Sequence, residues 1–274
     1  MKKSVGIIGA NGYTGSELIR LLAFHPNIEL KFLFSRSNGG IKISDLYPDL
    51  EAVCELTLTD AVQQVDILFL CLPHKESQNW LNENSISDDT LIIDLGNDFR
   101  LEGNFKNRNF IYGLPEIYFN EIVGAKSIAN PGCFATSIQL ALLPLAKANL
   151  LKDVYTTGIT GSTGAGQSLQ KTTHFTWRND NISAYKTLNH QHVDEILQQV
   201  NSLNQDEVEL NFVPWRGDFA RAIFTSSIIN CDWELEKIYT LYQDFYKESP
   251  FVKISEKPID MKQVVNTNFC AIQI

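Results

Sequence analysis

Cys133 is the side chain in this sequence best suited to covalent chemistry. It lies in Ile128-Ala129-Asn130-Pro131-Gly132-Cys133-Phe134-Ala135-Thr136, where Pro-Gly constrains a turn and a helix is expected to start at Cys133 or just after it. A thiol at a helix N-terminus has its thiolate stabilised by N–H groups that lack an intrahelical partner and by the positive end of the dipole. The same N–H groups can hold the oxyanion of a tetrahedral intermediate. The common fate of cysteine is burial as a small apolar side chain. That suits Cys71 and Cys270, each inside an apolar strand, better than Cys133 in a polar turn.

A nucleophilic thiol needs a proton partner. The chain has five histidines: His25, His74, His174, His190 and His192. His190-Gln191-His192 stands at the start of a predicted helix, ahead of Val193-Asp194-Glu195-Ile196. Two residues two apart do not share a helical face, so one of the pair is expected to face the thiol. An H-x-H pair can also bind metal, but no third ligand stands at a recognisable spacing, and no metal is expected. His25 precedes Pro26 at a helix terminus and reads as structural, whereas His74 follows a strand end near an expected cofactor.

Gly9-Ala10-Asn11-Gly12-Tyr13-Thr14-Gly15 is G-x-x-G-x-x-G between a strand and a helix. Glycines let the backbone turn tightly and approach a pyrophosphate, and the helix N-terminus favours the anion. Gly9, Asn11, Gly12, Tyr13, Thr14 and Gly15 are therefore assigned to a dinucleotide; a purely structural turn is the plain alternative. The next strand ends Phe34-Ser35-Arg36-Ser37, and Glu29 lies at its wrong end to reach a ribose. A hydroxyl at Ser35 and a guanidinium at Arg36 suit a 2′-phosphate, so NADP(H) is expected over NAD.

These groups need a frame. Short apolar runs at Ser4–Ile8, Ile28–Phe34, Val65–Cys71 and Thr90–Leu95 read as buried parallel strands, with a helix over Ser16–Phe24. The alternation predicts an α/β, Rossmann-type doubly wound parallel sheet over residues 1–130. Residues 131–274 read as an α+β catalytic and oligomerisation domain with a mixed sheet. Helices are expected at Ala135–Ala148, part of Ser183–Leu203 and Glu234–Lys247, and strands at Tyr155–Thr160, Val208–Val213, Ala222–Ile229 and Phe269–Ile274. The 274 residues carry a formal net charge of -9 and 44% hydrophobic content. That is enough for a sizeable core and, with no basic run, argues against nucleic acid as a partner. No apolar run approaches the roughly 20 residues of a membrane span, and Met1-Lys2-Lys3 leads directly into a strand, so a cytoplasmic protein is expected. Five scattered cysteines without C-x-x-C indicate neither a disulfide framework nor structural zinc.

Several segments in order, essentially from residue 3 to 274, resemble the N-acetyl-γ-glutamyl-phosphate reductase family within the aspartate-semialdehyde-dehydrogenase-like group. They are GANGYTG, the SRS after the second strand, DLGNDFR (94–100), YGLPE (112–116), ANPGCFAT (129–136), TGSTGAG (160–166), HQHVDEI (190–196) and NTNFC (266–270). Pro144 also falls where the family pattern expects proline. Ser137 replaces the usual small residue, HQH replaces HRH, FVPWRGDFAR (212–221) is shorter than its counterpart, and a final helix is expected to be missing after Ile274.

The resemblance implies an NADPH-dependent reduction of an acyl phosphate to an aldehyde through a thioester on Cys133. His192 is then the acid/base, His190 lies nearer the substrate and Asn130 helps hold it. Arg100 is the candidate for the phosphate, and Arg216 and Arg221 for the α-carboxylate, since guanidinium pairs bidentately with both groups. Ser162, Gly164 and Gly166 fall where the family cradles the cofactor. A small-molecule acyl-phosphate substrate and a homo-oligomer, dimer or tetramer, are implied as partners. Alternatives are an aspartate-semialdehyde dehydrogenase, a reductase of an N-succinyl or carrier-linked acyl phosphate, and a non-catalytic NADP-binding regulator.

Overall fold

Val5, Ile7 and Ile8 are fully buried on consecutive faces of one short strand, which marks it as a central strand covered on both sides. The computed structural model describes residues 2–274, and its contacts divide into one unit up to Pro131 and another from Gly132 onward.

The first unit runs β1 (Lys3–Ile8), α1 (Tyr13–Ala23), β2 (Ile28–Phe34), α2 (Ile43–Leu46), β3 (Leu58–Thr59), β4 (Ile67–Leu70), α3 (Glu76–Glu83), β5 (Leu91–Asp94), β6 (Asn104–Phe105), β7 (Arg108–Asn109), β8 (Ile111–Tyr112), α4 (Pro115–Ile122) and β9 (Ser127–Ala129). Seven strands form one sheet in the order β3-β2-β1-β4-β5-β9-β8, and every pairing in it is parallel. Alternate side chains separate into two cores. Ile7, Leu33 and Ile19 of α1 pack on one face; Ile8, Phe34, Leu70 and Trp80 of α3 pack on the other. This is the doubly wound sheet read from the strand pattern. The chain leaves β1 outward through β2 and β3, then returns to β4 on β1's other side. That reversal opens a crevice at the carboxyl ends of β1 and β4, the usual ligand position in such sheets.

The second unit runs α5 (Cys133–Lys147), β10 (Asp153–Thr160), α6 (Phe175–Arg178), β11 (Ser183–Ala184), α7 (His192–Leu203), β12 (Glu209–Arg216), β13 (Ile223–Ile228), α8 (Leu235–Tyr246), β14 (Val252–Ser255) and β15 (Cys270–Gln273). Its main sheet, β11-β12-β10-β13, is mixed: β10 and β12 are parallel, and the outer strands are antiparallel to them. α5 and α7 cover one face. Phe134, Ile138 and Leu142 of α5 and Phe212 of β12 are buried there, and Tyr242 and Tyr246 of α8 donate to the carbonyls of Ala141 and Leu140.

The structure refines the sequence reading at several points. α1 starts at Tyr13 rather than Ser16, because Gly12 is its N-cap and the glycine turn itself supplies the first turn. The helix expected within Ser183–Leu203 is confined to His192–Leu203; Ser183–Ala184 instead pairs with Trp215 and Arg216 as an edge strand. β12 continues past Val213 to Arg216, since Pro214 keeps its carbonyl, which accepts the Tyr185 N–H. β15 joins β14 in a separate two-stranded parallel sheet, not the main one. Among the described residues no helix is long and apolar enough to cross a membrane.

Candidate active site

The glycine turn in the first unit is tight for steric reasons. Gly9 has φ +79°, and a Cβ there would lie 2.4 Å from the Cys71 carbonyl oxygen. A Cβ on Gly15 would lie 2.5 Å from the Gly9 oxygen. The N–H groups of Gly9 and Ala10 both donate to Phe34 O, at 3.0 and 3.1 Å, so the turn is pinned to the end of β2. Gly12 N–H closes back onto Gly9 O at 3.1 Å. Tyr13 and Thr14 are exposed in the first turn of α1, whose N–H groups have no intrahelical acceptor. The Asn11 side chain donates to Asn38, and Tyr47 donates to the Asn11 carbonyl.

At the end of β2, Ser35 is 2% exposed and its Oγ has no hydrogen-bond partner. Leaving a buried hydroxyl unpaired is costly, so this atom marks a place where a ligand oxygen would be welcome. Arg36 beside it is exposed and donates to Glu83 at 2.8 Å. A glycine cradle closed to any Cβ, a helix N-terminus and an orphan hydroxyl together fit a phosphorylated dinucleotide.

Arg100 is 8% exposed. Its Nε donates to Asn130 O at 2.9 Å and its Nη2 to Leu95 O at 3.1 Å. These bonds tie the loop after β5 to the residue after β9, so much of the guanidinium expected to meet a phosphate is engaged within the first unit. Asn130 N–H donates to Asp94 O, and the Asn130 side chain is exposed. Asp94 is fully buried; burial pushes its carboxyl up to about 6, against the Ser77 hydroxyl that donates to it at 2.6 Å.

In the second unit Cys133 is the first residue of α5 and is exposed. Gly132 caps the helix in an extended conformation, and its N–H donates to a carboxylate oxygen of Glu195 at 2.7 Å. Glu195 is 3% exposed, in the first turn of α7. Gln139 of α5 donates to the Glu195 carbonyl at 3.1 Å, so side chain and backbone of one residue join the two helices.

His192 opens α7 and His190 precedes it; both are buried. Their rings lie 4.7 Å apart. The structure thus brings together the two rings, of which one is expected to face the thiol. The spacing rule applies inside a helix, and His190 lies before the Gln191 cap. Phe134, Tyr185 and Phe212 meet the His190 ring edge-on at 5.7, 5.6 and 5.5 Å. Burial first, then the neighbouring His192 and Lys186, lowers His190 to about 4, with Glu195 opposing. His190 Nδ1 faces the His192 backbone N–H at 3.2 Å. An acceptor Nδ1 on a neutral ring leaves the proton on Nε2.

Arg216, at the end of β12, lays its guanidinium 4.6 Å from the Tyr185 ring centre, and its buried Nε has no partner. Tyr185 is pushed up by burial and by Cys133, and Arg216 opposes the rise. Arg216 and His190 thus both pack on Tyr185, with Cys133 within electrostatic reach of it. Arg221 is exposed in the loop between β12 and β13. Ser162, Gly164 and Gly166 lie in the turn after β10, where Ser162 and Thr163 N–H donate to Phe219 and Ala220 of that same loop. The sequence reading assigned no role to Glu195 or Tyr185. Glu195 stood inside the quoted HQHVDEI segment as a helix-start acid, whereas nothing local distinguished Tyr185. Among the described residues no group of three or more His, Cys, Asp or Glu is placed to hold a metal ion.

Comparison with known proteins bears on both units. Residues 4–125 match the family model of the semialdehyde dehydrogenase NAD-binding domain, and residues 133–274 match that of the semialdehyde dehydrogenase dimerisation domain. The N-acetyl-gamma-glutamyl-phosphate reductase of Flavobacterium johnsoniae is 50% identical over 99% of this chain and 85% of its own length. That of Phocaeicola vulgatus is 48% identical over 98% and 84%. Among solved structures, aspartate semialdehyde dehydrogenase II of Vibrio cholerae covers 99% of this chain and 87% of its own, with TM-score 0.73 and 13% identity. The Candida albicans aspartate semialdehyde dehydrogenase, solved with NADP, covers 94% and 84%, with TM-score 0.68 and 14% identity.

Two measurements check this geometry. Arg36→Ala is expected to weaken NADPH by about tenfold, the size of one charge-assisted hydrogen bond, and to leave NADH nearly unchanged; equal losses in fluorescence titrations would remove Arg36 from the 2′-phosphate. Burial holds His190 below its ordinary value near 6.5. Its neutral form therefore stabilises the fold fully above pH 6.5, and that contribution is lost as pH falls toward 4. Urea midpoints should fall across this window in the natural chain and fall less in His190→Gln; parallel curves would show that the ring is not held neutral.

Proposed function

Because the chain belongs to the N-acetyl-gamma-glutamyl-phosphate reductase family of semialdehyde dehydrogenases, we propose that it reduces an N-acyl-γ-glutamyl phosphate to the 5-semialdehyde and phosphate with NADPH, a step of arginine biosynthesis. The relatives' name specifies the acyl group as acetyl. The observation that carries the reading is Cys133, exposed at the first position of α5, with its cap N–H held by Glu195 and the next ring, Phe134, packed on His190.

In this reading the Cys133 thiolate adds to the acyl carbon, the bond from that carbon to the phosphate oxygen breaks, and a thioester remains on the sulfur. The N–H groups of the first turn of α5 hold the oxyanion formed at that carbon. The glycine turn, with Ser35 and Arg36 at the 2′-phosphate end, would hold reduced nicotinamide, which when bound would supply a hydride to the thioester carbonyl. Collapse of the resulting thiohemiacetal releases the aldehyde and restores the thiol. His192 handles the protons. His190 suits that task less well, since a ring lowered to about 4 and enclosed by three aromatic rings is a poor proton donor near neutrality. His190 serves as the neutral, oriented neighbour of the acyl group. Arg216 takes the α-carboxylate with Arg221 from the adjoining loop, Asn130 helps hold the substrate, and the Arg100 brace on the Asn130 carbonyl sets where that residue stands. Ser162, Gly164 and Gly166 complete the cofactor cradle. The cytoplasm, where thiols stay reduced, is the compartment that goes with this chemistry.

The oligomer in the same reading is a homodimer joined through the outer face of the mixed sheet. That face carries Tyr155, Ile159, Trp215, Phe224 and Ile228, with Ile228 69% exposed and Tyr155 56% exposed. A shallow depression of about 290 Å³ lies among Thr157, Ile159, Ile182, Trp215, Phe224 and Ser226. Apolar patches of this kind rarely stay open to water, and the dimerisation-domain match covers the strands that carry it.

The function is tested in reverse, as phosphate-dependent reduction of NADP by N-acetyl-glutamate 5-semialdehyde. Cys133→Ala should remove turnover by about a thousandfold or more while NADPH still binds; turnover retained in that variant rejects covalent catalysis. His192→Ala should slow the reaction more than His190→Ala does, and the opposite order exchanges their roles. Sedimentation of the natural chain should give twice the mass of one chain, and Phe224→Glu should halve it. A natural chain sedimenting as a monomer rules out the dimer.

A further inference from the structure

Arg178, in the segment between β10 and β12, is a buried cation whose bonds all lead elsewhere than to an acid. It closes the single-turn helix α6 and is 6% exposed. Its Nε donates to Thr172 O at 3.3 Å. Its Nη1 donates to Asn181 O at 3.2 Å and to Arg216 O at 2.6 Å, and its Nη2 donates to Ser183 Oγ at 2.9 Å. None of these acceptors is a carboxylate. Asp218, the acid within electrostatic reach, already accepts the Asp180 N–H at 2.7 Å. Burial is the larger influence lowering the Arg178 guanidinium, and repulsion from Arg216 is the next. Two arginines therefore stand within repulsive reach of one another in a chain of net charge -9, with a buried Nε on Arg216 still lacking a partner.

Burying a guanidinium without a carboxylate is expensive, so the arrangement needs a return. The return is geometric. The four bonds tie α6, the Asn181 turn and β11 to the last residue of β12, whose side chain lies over Tyr185, a ring within electrostatic reach of the Cys133 thiol. We propose that Arg178 is a positioning residue that holds Arg216 over Tyr185 with its Nε unspent, ready for the carboxylate of the acyl-amino-acid substrate. The identity of that carboxylate rests on the proposed function; the hold on Arg216 does not.

The reverse reaction separates the two anions, because semialdehyde and phosphate are added independently. In Arg178→Met, KM for the semialdehyde should rise about tenfold or more, the cost of a misplaced guanidinium–carboxylate pair, while kcat and KM for phosphate stay within about threefold. Arg178→Lys, which keeps the charge and loses the fork, should fall between. In an Arg216→Met background, Arg178→Met should change KM by less than about threefold, because it acts through the residue already removed. A rise in KM for phosphate instead, a fall in kcat with KM unchanged, or independent multiplication of the two substitutions overturns the proposal. Melting temperature and NADPH titration report folding, and Ser183→Ala, which removes one bond, gives a milder version of the same KM rise should Arg178→Met not fold.

If the natural chain shows no turnover, the functional reading fails. The positioning claim is then read at the thiol. Peptide mass spectrometry compares alkylation of Cys133 by iodoacetate and by iodoacetamide, with exposed Cys231 as internal reference. Arg178→Met should lower the iodoacetate preference at Cys133 as far as Arg216→Met does, and an unchanged preference rejects the hold on Arg216.

Discussion

The bond from Gly132 N–H to the buried Glu195 carboxylate is the constraint on which the rest of the thiol site depends. A helix N-cap residue must direct its N–H somewhere, and a charged acceptor makes that bond stronger than a neutral one. Here the acceptor belongs to the first turn of α7, the helix that His192 begins. One contact therefore relates the start of the cysteine helix to the start of the histidine helix. The second contact, from Gln139 to the Glu195 carbonyl, prevents rotation about the first. Phe134 then has little freedom, and its ring closes on His190 and Phe212. Preorganisation of this kind is how a site avoids reorganising when charge develops.

The two units show different routes to a site. In the first, the backbone is the recognition surface: glycines remove Cβ atoms, and helix and strand ends leave groups for a ligand. In the second, side chains do the work, and most of them are buried. A chain with net charge -9 can still offer a local site to an anion where a cation stands at one strand end, as Arg216 does. Long-range charge sets solubility and steering, whereas binding is decided over a few ångströms.

What the sequence disclosed follows from the range of each interaction. The parallel sheet, the glycine turn and the helix start at Cys133 depend on apolar runs and neighbouring turn residues, and all were legible. The limits of β12 were not, because Pro214 reads as a strand breaker and only the Tyr185 bond shows how it is accommodated. The closeness of the His190 and His192 rings was not legible either, because helical spacing does not extend across the Gln191 cap. Arg178 and Tyr185 were invisible: their meaning lies in contacts with Arg216, more than thirty residues away, and no local pattern encodes them. Arg100 was legible as a special residue, but its bonds to two backbone carbonyls follow from tertiary structure alone.

The order of strands has a consequence for how the chain is made. β1 leaves the ribosome well before β4, yet the two are neighbours through the pairing of Val5 with Ile67. At about 5–20 residues per second, β1 waits roughly 3–12 s with that edge bare. β2 reaches its other edge sooner, through Lys3 and Ile28. During synthesis the nascent chain therefore presents an apolar strand with a row of unsatisfied backbone groups, the form of surface that other strands adopt as a template.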